Sequence, residues 1–270
     1  MSVVCMGDFG SGNENQKKVA DLLKEIITKY NFNIKFILGL GDNIYPDGVT
    51  SVKDPQFKEK FEEPYKHLPK RIKFYNVLGN HDYHSKIQPQ IEYTNYSPRW
   101  VMEDNCYSFT KTLNKQTVGF FAIDTNFNEL TSKMKKSQEK KMFNAIQNSK
   151  AKWNIVYGHH PYKSTGAHGN AESELATFYK KIIATGKIDI MLSGHDHDQQ
   201  LICIPNTPYL IVSGTGCETR KVPSIFRNIP DLKFFSEDLG CCVLDFNEIF
   251  IEIKFINVRG TVKYTCKLKK

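Results

Sequence analysis

Apolar runs recur along the chain, and five of them stop at a glycine. Val3-Val4-Cys5-Met6 ends at Gly7, Phe36-Ile37-Leu38-Gly39-Leu40 at Gly41, and Phe74-Tyr75-Asn76-Val77-Leu78 at Gly79. Ile155-Val156-Tyr157 ends at Gly158, and Ile190-Met191-Leu192-Ser193 at Gly194. Short, unbroken apolar runs of this kind predict buried strands. After the flexible Gly10-Ser11-Gly12, the residues Val19, Leu22, Leu23, Ile26, Ile27 and Tyr30 recur at helical spacing. They predict a helix with one apolar face, ended by Asn31-Phe32-Asn33. Residues 55–68 predict a second helix, with Phe57, Phe61 and Tyr65 four apart. Pro55 suits its first turn, whereas Pro64 argues for a kink or break. Two further helices are predicted from about Ser137 to Ser149 and from Glu172 to Thr185.

The segment from Cys106 to Ile123 reads as a hairpin or as neighbouring strands, with Asn114 near the turn. Beyond residue 199 the chain is strand-rich, over Gln200–Ile204, Tyr209–Ser213, Cys241–Phe246, Phe250–Asn257 and Val262–Leu268. From Ser85 to Trp100 the periodicity is lost. That aromatic stretch reads as a loop, either folded over the mouth of a site or lying on the surface and anchored by Trp100.

Asp8 and Asp42 are 34 residues apart, Asp42 and Asn80 38, and His159 and His195 36. Each spacing is about one strand–helix–strand unit. Such units followed by antiparallel strands predict an α/β chain with two packed sheets flanked by helices. No Pro/Gly/Ser-rich linker separates two halves, so residues 1–270 are expected to form a single domain. A hydrophobic content of 40% and a charged content of 24% are ordinary for a globular chain. No stretch reaches the roughly 20 apolar residues of a membrane span. The first strand begins at about Val3, leaving no room for a signal peptide, so a cytoplasmic location is expected. The seven cysteines are odd in number, lack a CxxC pair and fall largely inside apolar strands, which favours reduced, buried thiols.

The residues after the five glycines change the picture. They are Asp8; Asp42 and Tyr45; Asn80-His81-Asp82; His159-His160; and His195-Asp196-His197. In open α/β sheets ligands gather beyond the C-terminal ends of strands. Any one of these stretches alone reads equally well as a turn. Five strand ends, all offering oxygen or imidazole and none offering thiolate, point to one shared metal site. The loop 161–170 follows one of these strand ends, so His168 either overhangs the site or lies exposed. The net charge of +8 favours anionic ligands, phosphate esters and nucleic acid included. However, the lysines of 133–141 and of the C-terminal tail read as solvated faces, and no Arg-rich, aromatic-interleaved cluster suggests dedicated nucleic-acid binding.

In this order, Gly7-Asp8, Gly41-Asp42-Asn43-Ile44-Tyr45, Gly79-Asn80-His81-Asp82, Gly158-His159-His160-Pro161 and Gly194-His195-Asp196-His197 resemble the motifs of the calcineurin-like metallophosphoesterases. Tyr45 narrows the resemblance to the small, tartrate-resistant purple acid phosphatases. Tyr93-x-x-x-Ser97-x-Arg99-Trp100, Ala167-His168-Gly169 and Ser213-Gly214-Thr215-Gly216 add to it.

The resemblance implies a four-layer α/β/β/α sandwich of two mixed sheets. It implies one metal on Asp8, Asp42, Tyr45 and His197, and a second on Asp42, Asn80, His159 and His195, with Asp42 bridging. The first set suits Fe(III); the second suits Fe(II), Zn(II) or Mn(II). The implied function is a phosphatase that cleaves phosphate monoesters by in-line attack of a metal-bound hydroxide. Asn80, His81 and His168 would contact substrate, with His81 and His168 as the catalytic histidines. Asp82 would orient His81 or cap a turn, and His160, where an aromatic is more usual, would lie beside the site. The expected substrate is a phosphorylated small molecule or phosphoprotein, with no membrane partner. A phosphodiesterase or nuclease of the same superfamily is the alternative, and a non-catalytic phosphatase-like scaffold a third reading.

Overall fold

The computed structural model describes residues 1–30 and 32–270. Two seven-stranded mixed sheets lie face to face. The first runs, edge to edge, Val262–Lys269, Phe250–Asn257, Gly240–Phe246, Ser2–Met6, Ile34–Gly39, Phe74–Asn76 and Trp100–Val101. The second runs Leu232–Ser236, Gln199–Ile202, Tyr209–Ser213, Ile190–Ser193, Trp153–Tyr157, Gln116–Ala122 and Tyr107–Leu113. Within each sheet four neighbouring strands are parallel, beginning at Ser2 in the first and ending at Tyr209–Ser213 in the second.

Side-chain alternation explains the layering. Phe120, Ile155, Ile190 and Ile211 of the second sheet enter one core with Val3, Cys5, Ile37 and Phe74 of the first. Their chain neighbours Phe121, Val156, Met191 and Leu210 point the other way, onto Met142, Ile146, Leu175, Phe178 and Ile182 of the helices Ser132–Asn148 and Ser173–Ala184. Helix Glu14–Thr28 packs Val19, Leu22, Leu23 and Ile26 against the first sheet. Period-2 strands between period-3.6 helices thus give four α/β/β/α layers.

Most predicted elements stand within a few residues of their expected positions. Asn31, expected to help end the first helix, lies outside the described residues. The hairpin turns at Asn114-Lys115, both at positive φ (48° and 65°), the conformation that matches strand twist in a two-residue turn. All seven cysteines are free thiols, five of them buried. Among the described residues no helix is long and apolar enough to cross a membrane.

Three expectations are corrected. Residues 85–100 are not a plain loop: Gln88–Glu92 is helical with Pro89 in its first turn, and a 3-10 turn follows at Tyr93–Asn95. The stretch faces the core rather than the mouth of the site. The Trp100 indole donates to the Gln90 carbonyl at 2.8 Å, Tyr93 stacks on Phe57 at 3.6 Å, and buried Arg99 donates to the Leu68 and Pro69 carbonyls. A strand at Leu232–Ser236 was also missed, because its half-exposed edge position carries no sustained alternation.

The third correction concerns Pro64, which does not break its helix. The backbone widens to a π-turn over Lys58–Glu62 just before it. Pro64 has no N–H, so the Lys60 carbonyl loses its usual i+4 donor. Fully buried Gln16 of the first helix supplies the replacement, its Nε2 donating to Lys60 O at 2.6 Å. The Gln16→Ala variant should therefore lose about 2 kcal/mol of stability in denaturant melts, the cost of an orphaned buried carbonyl. Adding Pro64→Ala, which restores the backbone donor, should recover part of that loss in a double-mutant cycle.

Candidate metal centre

All five glycine-terminated strands deliver their polar residues to the same end of the two sheets. The sheets are stitched together there. Gly7 N donates to Ser213 O at 2.8 Å, Gly216 N to Gly7 O at 3.1 Å, and Asp8 N to Gly41 O at 3.0 Å. Asp8 (φ 57°), Asp42 (φ 52°) and His195 (φ 68°) sit in the left-handed region. Residues with a Cβ adopt it at a cost of about 1–3 kcal/mol each, a strain that concentrates at functional sites. The glycines beside them are there for closeness. A Cβ on Gly79 would lie 2.1 Å from Asp42 Oδ1, and one on Gly194 2.4 Å from Asp8 Oδ2.

Two groups of donors result. In the first, the Tyr45 hydroxyl donates to Asp8 Oδ1 at 3.0 Å, and His197 Nε2 lies 3.2 Å from Tyr45 Oη and 3.4 Å from Asp8 Oδ1. In the second, His159 Nε2 lies 3.0 Å from Asn80 Oδ1, 3.2 Å from His195 Nδ1 and 3.5 Å from Asp42 Oδ1. Asp8, Asp42 and His159 also converge as a cluster, which brings the two groups side by side. The seven residues expected as ligands are thus gathered into one place.

The donor set fits cations. Asp8 and Asp42 are buried, yet among the described residues neither has a Lys or Arg in ion-pair contact, only histidines. Buried carboxylates of this kind demand compensating positive charge. Burial, then the Asp8 and Asp42 charges, push the Tyr45 phenol far above its usual range. Burial lowers His195, and His159 lowers it further. Burial also opposes charging of His159 and His197, but Asp42 outweighs it for His159 and Asp8 for His197, so both are raised. Imidazoles crowded against each other and against carboxylates are the ordinary state of a metal site read without its charge.

The surroundings fix the ligands. His159 Nδ1 lies 2.9 Å from the Leu40 carbonyl, so that nitrogen carries the proton and Nε2 is left to face Asn80 and His195. His197 Nδ1 faces Glu218 Oε2 at 3.3 Å. Such outer contacts set the tautomer and orientation of a ligating imidazole. The role of Glu218 was missed, since an isolated exposed glutamate carries no sequence signal.

Asp82 does not orient His81. Its buried carboxylate accepts from the backbones of Asn43, Ile44 and Gly79 and from the side chains of Asn43 and Gln90. It clamps the loop carrying Asp42 and Tyr45 to the loop carrying Asn80. Burial and Asp42 push its carboxyl up to about 6, leaving it an anion at neutral pH.

His81 and His168 flank the donors. The His81 Nδ1 proton goes to Pro46 O at 2.6 Å, and its ring lies 4.5 Å from the Tyr45 ring. The His168 ring lies 4.2 Å from that of His195, and its backbone N–H donates to Asp196 Oδ1 at 2.7 Å. Asp196, between two expected ligands in sequence, thus holds the 164–168 loop in place. His160 stands closer than expected, its ring 4.4 Å from His195. Thr125 Oγ accepts from the backbone N–H groups of both His159 and His160, which leaves its own proton for His160 Nδ1 at 2.8 Å. Asn80, His160, His168 and His195 line a cavity of about 320 Å³.

Comparison with known proteins agrees with this geometry. The family model described as calcineurin-like phosphoesterase matches residues 1–199. Purple acid phosphatase 3 of Arabidopsis thaliana is 28% identical over 99% of this chain and 77% of its own length. Tartrate-resistant acid phosphatase type 5 of Mus musculus is 27% identical over 79% of this chain and 71% of its own. A solved structure described as GAP50, the anchor in the inner membrane complex of Plasmodium, superposes with a TM-score of 0.90. It is 24% identical and is covered over 88% of its length by the whole of this chain; the likeness shows the shared fold.

Asp82→Asn should lower stability by about 3 kcal/mol, because several charge-assisted bonds lose their acceptor together. Denaturant melts of chelator-treated protein measure this without a contribution from bound metal.

Proposed function

This chain belongs to the calcineurin-like phosphoesterase family, and we propose that it hydrolyses phosphate monoesters as a purple acid phosphatase does. Its purple acid phosphatase relatives make it a phosphatase, and the family implies a dinuclear metal centre. The observation that carries the finer reading is the pair of donor groups joined at Asp42. Asp8, Asp42, Tyr45 and His197 would hold Fe(III); Asp42, Asn80, His159 and His195 would hold Fe(II), Zn(II) or Mn(II). When bound, two such cations supply Lewis acidity toward a phosphate ester and a nucleophile near neutral pH.

The chain's own residues do the rest. Asp42 fixes the spacing of the two sites. Asn80, His81 and His168 orient the phosphate for in-line displacement. With its Nδ1 proton committed to Pro46 O, His81 turns Nε2 toward Asp42 Oδ2, 3.9 Å away. A protonated His81 Nε2 can neutralise the departing alkoxide. A phosphorylated small molecule or a phosphoprotein suits this open arrangement. The seven free thiols support a reducing, cytoplasmic compartment.

A phosphodiesterase reading draws on the +8 charge; parallel assays with monoester and diester model substrates separate the two. A scaffold reading draws on the 0.90 superposition with the Plasmodium anchor and predicts no hydrolysis with any metal supplied.

The deciding experiment is a visible spectrum with metal analysis on the same sample. A violet tyrosinate–Fe(III) band, two metals per chain, and loss of the band in Tyr45→Phe are the expected results; a colourless protein holding two Zn or Mn would overturn the iron assignment. Asp42→Asn should lose metal and at least about 100-fold in turnover, and unchanged metal content would sink the bridging role. His168→Ala should keep both metals and lose about 100-fold in turnover.

A further inference from the structure

Arg220 lies seven residues past the end of strand Tyr209–Ser213, where the chain passes over the metal-facing histidines. Its backbone N–H donates to the His197 carbonyl at 3.0 Å, tying its position to an expected ligand. Its guanidinium Nη1 meets His168 Nε2. The nearby carboxylate of Glu218 is turned to His197 Nδ1 instead, and among the described residues Arg220 forms no ion pair. A guanidinium carries five N–H donors, and one is used here. What remains is a planar cationic fork, half-exposed, held at the rim of a centre that binds phosphate.

Its place in the sequence of rings decides what it can reach. The His168 ring sits against His195 at 4.2 Å, and Arg220 sits on the far side of His168 from His195. A phosphoryl group held by the metals and His168 therefore has Arg220 one side chain further out. At that distance the fork meets the group attached to phosphorus through the ester oxygen, rather than the phosphoryl oxygens themselves. Arg matches carboxylate and phosphate bidentately.

We infer that Arg220 binds a second anionic group on the substrate, so that the site selects phosphate esters whose leaving group bears a carboxylate or another phosphate. The inference rests on the phosphatase reading for its substrate class. Two esters of matched length test it, 2-carboxyethyl phosphate and propyl phosphate, assayed with the metal-loaded full chain. The native protein should prefer the carboxylate ester in kcat/KM. In Arg220→Gln that preference should fall by at least about 10-fold, mainly through KM. Arg220→Lys, which keeps the charge and loses the fork, should fall between the two and also serves if the Gln variant folds poorly. A preference unchanged by both substitutions overturns the assignment, as does a loss shared equally by the two esters.

Binding keeps this inference apart from the hydrolytic one. Calorimetric titration with 3-carboxypropylphosphonate and butylphosphonate needs no turnover. If neither ester is cleaved but the carboxylate ligand binds tighter and loses that advantage in Arg220→Gln, the anion site stands and the phosphatase reading fails. If the advantage persists in Arg220→Gln, the carboxylate is bound elsewhere and the inference fails.

Discussion

Two carboxylates without a basic partner govern this molecule. Asp8 and Asp42 are buried where the two sheets meet, and the described residues offer them imidazoles, a phenol and backbone N–H groups rather than Lys or Arg. A fold that kept those charges uncompensated would spend much of its small stability margin at the seam. The rest of the arrangement follows from this. The strands must end together so that donors from both sheets can share one cation pair. The turns must be tight enough to bring Gly79 and Gly194 against the carboxylates. Asp82, Asp196 and Thr125 must lock the loops, so that the ligands stay in place whether or not a cation is there to organise them.

The local conformations report the same constraint from the backbone side. Asp8, Asp42 and His195 all carry positive φ. The strain is tolerable because each is held at its backbone by a defined partner: Asp8 N on Gly41 O, His195 N on Asp8 Oδ2. Preorganisation of this kind places the cost in folding rather than in catalysis. The outer contacts on His159, from Leu40, and on His197, from Glu218, extend it by one shell.

Much of this was legible in the sequence, and the reason is specific. Each ligand-bearing turn follows a strand buried on both faces, so an apolar run, a glycine and a donor appear as consecutive letters. Asp8, Asp42, Tyr45, Asn80, His159, His195 and His197 are therefore found together where the sequence indicates, and His81 and His168 beside them. What could not be read was carried by residues without local context. Gln16 answers Pro64 across 48 residues, and nothing near either announces the pairing. Glu218 and Arg220 act through neighbours distant in sequence. The edge strand Leu232–Ser236 and the helical turns of 88–95 lack a sustained period, the first because it is half-exposed and the second because they are too short. The aromatic stretch 93–100 looked like a site covering but is an anchor, because composition alone does not say which way a ring faces.

The strand that bears Asp8 is central to the first sheet, paired on one side with Ile34–Gly39 and on the other with Gly240–Phe246. That has a consequence for biosynthesis. As the chain emerges from the ribosome, Asp8 appears almost first, His197 only after three-quarters of the chain, and the last partner of Asp8's own strand later still. A nascent chain cannot assemble either donor group in full before then, so metal insertion is a late event that follows chain completion. Until it happens, both edges of the central strand depend on segments made at opposite ends of synthesis, and the newly made protein is most exposed to misassembly during that interval.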